Sequence, residues 1–327
     1  MQATEEKVII IGAGPCGLSA AIECQKKGLD PLIIEKGNIV QALYNYPTHQ
    51  QFFSSSQKLE IGNLPFVTEE RKPKRNQALA YYREVVRRTT PRIHAFEEVL
   101  GVIKKANHHF TVQTKTSEGE EREYKAQFVI VATGYYDHPN LLGIPGEQAP
   151  HVFHYFKEAH PYFNCDVTVI GGKNSAVDAA LELNKAGANV TVLYRGAAYS
   201  PSVKPWVLPE FDSLVRSNQI NMAFNAKILE IQKDHVVVEQ EGNVQTLKSE
   251  FVFAMVGYHP DHEFLKGMGI DIDEETGRPA FDPATMETNV EGIYIAGVIA
   301  AGNNANEIFI ENGRFHGELI AQSIVRN

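Results

Sequence analysis

A chain of 327 residues with a hydrophobic fraction of 43% and a charged fraction of 22% has the composition of an ordinary globular protein of about two domains. Its net charge of −9 argues against a nucleic-acid partner, and no stretch approaches the ~20 apolar residues that span a bilayer. Three cysteines (Cys16, Cys24, Cys165) are too few for a disulfide framework and suit a reducing cytoplasm; the polar N-terminus shows no signal peptide, and the redox motif C-x-x-C is absent.

In chain order, an apolar run from Val8 to Ile11 leads into Gly12-Ala13-Gly14-Pro15-Cys16-Gly17. A helical pattern follows, with Leu18, Ala21 and Ile22 on one face and Gly28 at its end. A second run, Pro31 to Ile34, ends at Glu35 and completes a βαβ unit. Gly12 permits the tight turn, Gly14 lets backbone approach a pyrophosphate, and Gly17 lets helix and strand pack closely. The helix N-terminus offers free N–H groups and partial positive charge to phosphates. Glu35, 18 residues after Gly17, stands where an acid binds a ribose hydroxyl. These features together predict a dinucleotide site. Farther on, a strand from Phe128 to Ala132 runs into Thr133-Gly134.

The plan recurs. Val167 to Ile170 enters Gly171-Gly172-Lys173-Asn174-Ser175-Ala176, a helix follows, and the next strand, Val190 to Tyr194, ends at Arg195. Lys173 stands where the middle glycine of the fingerprint belongs. Arg195 in place of an acid removes repulsion toward a 2′-phosphate and supplies a cation, which favours NADPH over NADH. The bland alternative is a solvated surface arginine. Strands from Phe251 to Val256 and from Ile293 to Ala296 run into Gly257 and Gly297. Two such units predict an α/β fold with two Rossmann-like, largely parallel sheets. The loops 137–146 and 259–263 are the natural linkers. They place a nicotinamide-nucleotide domain at 137–258 inside a flavin domain built from 1–136 and 259–327.

The first unit, the Ala-Thr-Gly turn at 132–134, the inserted second unit and Gly-Ile-Tyr-Ile-Ala-Gly at 292–297 together resemble the thioredoxin-reductase-like flavoproteins over essentially the whole chain. More closely, the segments 11–17, 170–176, 295–303 and Ile-Phe-Ile-Glu-Asn-Gly-Arg-Phe-His-Gly at 308–317 resemble the YpdA-type bacillithiol disulfide reductases. Lys173 fits that family. So does Val298, which stands where thioredoxin reductases carry an aspartate. The resemblance implies FAD on the first unit, NADPH on the second, and two-electron reduction of a small disulfide, bacillithiol disulfide. It places the flavin against Gly12 to Gly17, Glu35, Lys36, Gln41, Val99, Thr133, Gly134, Gly297 and Val298, with the start of the final helix near Glu307 and Ile308 closing the site. It also implies a homodimer or higher homo-oligomer.

Without C-x-x-C, a single-thiol relay or direct flavin chemistry remains. Cys16, in the first turn of the nucleotide helix, is the candidate nucleophile. The helix N-terminus lowers its pKa and a nearby pyrophosphate raises it. The alternative is a small packing residue. Cys24 and Cys165 read as structural fillers. The twelve histidines, among them His49, His108, His109, His259 and His262, show no metal spacing. The run Arg71-Lys-Pro-Lys-Arg75 reads as a solvated face or an anionic-substrate entrance, and Trp206 as part of an outer loop. Competing functions on the same fold are a ferredoxin or flavodoxin reductase, a flavin monooxygenase, and a non-catalytic nucleotide sensor.

Overall fold

A computed structural model describes residues 4–105, 109–304 and 306–326; His108 lies outside them. The chain divides into two compact units, Met1–His138 with Tyr258–Asn327, and Pro139–Gly257.

The first unit opens with β1 (Thr4–Ile11), α1 (Pro15–Lys26) and β2 (Leu32–Glu35). From Val8 to Ile11, β1 is continuously buried, as a parallel strand is when both sheet faces are covered. α1 is buried from Gly17 to Ile22, and α2 (Gln41–Asn45) and α3 (Arg75–Thr89) follow β2. Next come β3 (Arg92–Ala95), β4 (Glu97–Lys104), β5 (Phe110–Thr116) and β6 (Glu121–Val131).

The second unit contains β7 (Val152–Phe153), β8 (Asp166–Ile170), α4 (Asn174–Lys185), β9 (Asn189–Leu193), α5 (Leu208–Arg216) and β10 (Ile220–Ala223). The hairpins β11 (Ala226–Ile231), β12 (His235–Gln240) and β13 (Asn243–Lys248) lead to β14 (Phe251–Ala254). β10-β9-β8-β14-β7 form a wholly parallel sheet, and β11-β12-β13 form a separate antiparallel one. The residues that β8, β9 and α4 turn to one another (Val167, Val169, Ala176, Ala180, Val190, Val192) belong to one of this unit's cores.

The return to the first unit supplies α6 (His262–Gly267), β15 (Ile293–Ile295), α7 (Ile310–Gly313) and α8 (His316–Arg326). Its sheet runs β3-β2-β1-β6-β5-β4, with β15 also on β6. β6 is the pivot. One edge pairs with β1 along its length; the other serves antiparallel β5 over Glu121–Ala126 and then parallel β15 over Val129–Val131. The α/β class with two Rossmann-like parallel sheets is therefore as the sequence predicts.

One helix of the second unit carries a mismatch. Burial, with Glu182 nearby, pushes the Asp178 carboxyl up to about 6. A carboxyl raised on folding adds stability below its unfolded pKa, and that stability is lost as pH rises through about 6. Asp178→Asn is therefore expected to stabilise the protein by on the order of 2 kcal/mol at pH 8 and hardly at all at pH 4. Denaturant midpoints at the two pH values measure this, and an equal shift at both would refute the mechanism.

Candidate functional site

The first loop is shaped by what surrounds its glycines. A Cβ added to Gly17 would lie 2.0 Å from the carbonyl oxygen of Gly12, so α1 can approach β1 only through glycine. Gly12, with φ of +104°, is itself held by its N–H bond to the Ile34 carbonyl at 2.9 Å. Gly14 differs: a Cβ there would meet no protein atom within 4 Å. It is the N-cap of α1 and offers no side-chain cap, so the first-turn N–H groups stay directed at that open space. Uncapped donors beside an open face are what a pyrophosphate requires, and the residues present fit the flavin nucleotide.

Glu35 organises the loop. Its carboxylate accepts from the Ala13 N–H at 2.7 Å and from the Gly37 N–H at 2.8 Å, tying the loop to the turn after β2. Burial pushes this carboxyl up, and the two amide bonds pull it back only in part. On the other side, Val40 donates from its backbone to the Ala13 carbonyl at 2.9 Å from the left-handed region, with φ of 47°. That conformation is costly for a β-branched residue and sets the entry into α2. Gln41, at the first turn of α2, accepts from the Asn38 N–H, and Lys36 is exposed and pairs with Asp137 at 3.0 Å.

Cys16 lies opposite the return segment. Its Sγ would be 3.0 Å from a Cβ built on Gly297 and 3.1 Å from one built on Gly313, so the thiol sits in a slot between two glycines. A Cβ built on Gly313 would also lie 3.2 Å from Ile308 Cγ2, so Ile308 packs on the same glycine. Burial pushes the Cys16 thiol up to about 12, so the sulfur is a neutral thiol at pH 7. The Gly297 N–H donates to His316 Nδ1 at 3.2 Å. Burial holds this imidazole below its ordinary range. A neutral ring accepting at Nδ1 carries its proton on Nε2, so His316 in this state has no free lone pair with which to take the Cys16 proton. Cys24, fully buried, and partly buried Cys165 are packed against the cores of their units.

Thr133 and Gly134 continue from Ala132, whose carbonyl oxygen packs on Gly12, and both are partly exposed. Val298 opens a short 3-10 turn, Val298–Ala301, directly after Gly297. Val99 lies in β4, partly buried against the core of this unit, and its ladder with β5 shifts register between Val99 and Gly101. Two expectations need correction. The final helix does not begin near Glu307. Asn312 accepts from the Phe309 N–H and donates to the Glu307 carbonyl, and this starts only the four-residue α7; α8 begins at His316. Glu307 pairs with Arg278, so its side chain is directed to the 271–280 segment. The basic run 71–75 is not one surface either. Arg75 is 6% exposed, and its guanidinium donates to the Leu43 and Tyr44 carbonyls at the end of α2, where a cation complements the helix dipole.

Sequence reasoning also missed an aromatic cluster beyond the Thr133-Gly134 turn. Tyr136 lies between Tyr46 and Tyr258, with ring centres 4.9 and 4.7 Å away. Burial raises the Tyr46 hydroxyl above its ordinary value. These tyrosines come from three distant segments, so no local pattern announces them.

In the second unit, α4 starts at an uncapped N-terminus with exposed Lys173 as its N-cap and Ser175 also exposed. Gly171, with φ of +140°, packs on the Met255 carbonyl, while Ala176 is fully buried. The Tyr194 ring lies against both Gly172 and Gly196, where added Cβ atoms would come within 2.4 Å of it. Arg195 is exposed two residues after β9, and Gly257 is exposed with φ of +97°. No group of three or more possible metal ligands occurs among the described residues. No described helix is long and apolar enough to cross a membrane.

Comparison with known proteins agrees with this geometry. The chain is 62% identical over 323 residues, covering 98% of each chain, to bacilliredoxin reductase Bdr of Bacillus subtilis (strain 168). Among solved structures it superposes on bacillithiol disulfide reductase Bdr (YpdA) from Bacillus cereus with a TM-score of 0.98 and 63% identity, covering 99% of this chain and 100% of that one. The Staphylococcus aureus protein of the same name gives a TM-score of 0.94 and 59% identity, with 99% of each chain covered. The family model described as pyridine nucleotide-disulphide oxidoreductase matches residues 9–297, from β1 to the glycine against the Cys16 thiol, and the chain belongs to that family.

Proposed function

We propose that this chain is an NADPH-dependent, FAD-containing reductase that passes two electrons to a low-molecular-weight disulfide, bacillithiol disulfide, in the cytoplasm. One observation carries the reading: the helices after the two glycine loops, α1 and α4, both start without a side-chain cap, the first followed by a strand ending in buried Glu35 and the second by a strand with exposed Arg195 two residues beyond its end. When bound, the two nucleotides supply hydride transfer from nicotinamide to flavin and an electron pair for the acceptor. The first-turn amides of α1 and α4 hold the two pyrophosphates. Glu35 keeps the first loop in register, and Arg195 supplies the charge for a 2′-phosphate. Two similar solved proteins named bacillithiol disulfide reductase support the small disulfide. The name of the Bacillus subtilis relative supports a second acceptor, the disulfide form of a bacilliredoxin. A homodimer fits the thioredoxin-reductase likeness, and light scattering at twice the chain mass would bear it out.

The test is anaerobic. NADPH but not NADH should bleach the flavin, and bacillithiol disulfide should restore it with release of two thiols. Faster recovery with an oxidised bacilliredoxin would favour the second acceptor, and no bleaching would end the oxidoreductase reading.

Cys16 is the proposed thiol relay. Its thiolate attacks one substrate sulfur, expels the first thiol and holds the other half as a mixed disulfide. With the thiol held up to about 12, the thiolate fraction grows about tenfold per pH unit across the neutral range. Disulfide turnover is therefore expected to rise steeply from pH 7 to 9 while flavin bleaching does not. Cys16→Ser is expected to keep flavin and bleaching and to lower disulfide turnover at least about tenfold. Unchanged turnover in that variant would leave Cys16 as packing between Gly297 and Gly313.

A further inference from the structure

The second unit contains a built loop to which the proposed function gives no role. Residues 199–204 follow Arg195 and return to the start of α4. The Tyr199 ring packs on Phe211 and Phe224, with ring centres 5.9 and 5.1 Å apart. Val203 and Ser200 are buried, and the Ser200 and Ser202 hydroxyls are 2.8 Å from each other. Asn174, in the first turn of α4, then fastens the loop to the phosphate-binding segment. Its Nδ2 donates to the Ser202 carbonyl at 2.9 Å, and its Oδ1 accepts from the Lys204 N–H at 2.9 Å. A side-chain amide can donate to one backbone group and accept from another two residues away in this way; a carboxylate lacks the donor and an alkyl chain lacks both.

We infer that Asn174 is a positioning residue for nucleotide selection. It holds the 199–204 loop beside the second dinucleotide loop, so that Ser202 and the charge of Lys204 join Arg195 in preferring a nucleotide with a 2′-phosphate. Two features support this. The loop is anchored at three points (the Tyr199 ring, Val203 and Asn174), which is more order than a solvated connection needs. In addition, the anchor lies next to Lys173 and Ser175, both exposed at the uncapped end of α4, so the loop and the phosphate-binding amides share one rigid support. The inference rests on the reading of this unit as the NADPH site. It adds that the discrimination depends on the clamped loop as well as on Arg195.

The experiment uses the flavin-loaded protein and two readouts. Amide hydrogen exchange over residues 199–205, without nucleotide, reports the clamp; equilibrium binding of NADP⁺ and NAD⁺ reports selection. Asn174→Ala is expected to speed exchange at Lys204 at least about tenfold, since its N–H loses its acceptor. It is also expected to weaken NADP⁺ about tenfold and NAD⁺ less than about threefold. Lys204→Ala keeps the backbone N–H, so it should leave exchange unchanged and still weaken NADP⁺ selectively. Unchanged exchange in Asn174→Ala would overturn the clamp, and unchanged NADP⁺ affinity in either variant would overturn its role in selection. If the wild-type protein itself binds NADP⁺ and NAD⁺ alike, the underlying NADPH assignment fails, and the selection role falls with it; exchange at Lys204 would still report separately whether Asn174 clamps the loop.

Discussion

Gly14→Ala and Gly17→Val are expected to abolish flavin binding for opposite reasons. At Gly17 an added Cβ would collide with the Gly12 carbonyl oxygen at 2.0 Å, and Gly12 cannot retreat because it is bonded to Ile34 and packed on Ala132. Overpacking against backbone commonly costs about 1–3 kcal/mol, and here two extra methyl groups and a pinned neighbour place the loss at about 4 kcal/mol or more. At Gly14 the space is open and the backbone, with φ of −70°, accepts alanine without strain. The Gly14→Ala apoprotein should therefore keep wild-type stability within about 0.5 kcal/mol, while its FAD affinity falls at least about a hundredfold. Denaturation of the two apoproteins and flavin titration of each separate the cases. A Gly14→Ala protein that retains FAD with wild-type affinity would mean that this open face is not the pyrophosphate site.

Removal of the Glu35 carboxylate is expected to have the next largest effect. Glu35→Ala leaves the Ala13 and Gly37 N–H groups without their acceptor, and each charge-assisted bond contributes about 1.5–3 kcal/mol. The loss concerns the loop that carries Gly14, so flavin retention should drop by about a hundredfold even where the fold survives. Glu35→Gln keeps one acceptor oxygen and should fall between Glu35→Ala and wild type. If flavin content and affinity are unchanged in Glu35→Ala, the clamp has no bearing on the cofactor.

The two glycine-rich strand–turn–helix loops were legible because their signals are local: glycines at fixed offsets, an apolar run on each side, and a charged residue near the next strand end. The fold class followed from them. What was not legible depends on pairs distant in sequence. The slot for Cys16 is made by Gly297 and Gly313, nearly three hundred residues away, and its burial raises the thiol pKa, which the opposing local effects of helix N-terminus and pyrophosphate left open in the sequence. The role of Arg75 is equally hidden. Five consecutive residues read as a charge cluster, yet the chain turns into α3 between Lys74 and Arg75, which leaves one exposed and the other buried against α2. The short α7, started by the Asn312 cap and followed by a new helix only at His316, is likewise something no helical periodicity records.

The partner exchange along β6 sets an order for biosynthesis. The first sheet lacks β15 until residue 295 has been made, whereas every strand of the second unit is complete at residue 254. Because domains fold as units while the chain is produced, the inserted unit has all its pairing partners first and the flanking unit must wait with the C-terminal edge of β6 unpaired. Nascent chains that stop before residue 293 therefore expose that edge, and the interval before β15 is made is when this protein most needs protection from aggregation.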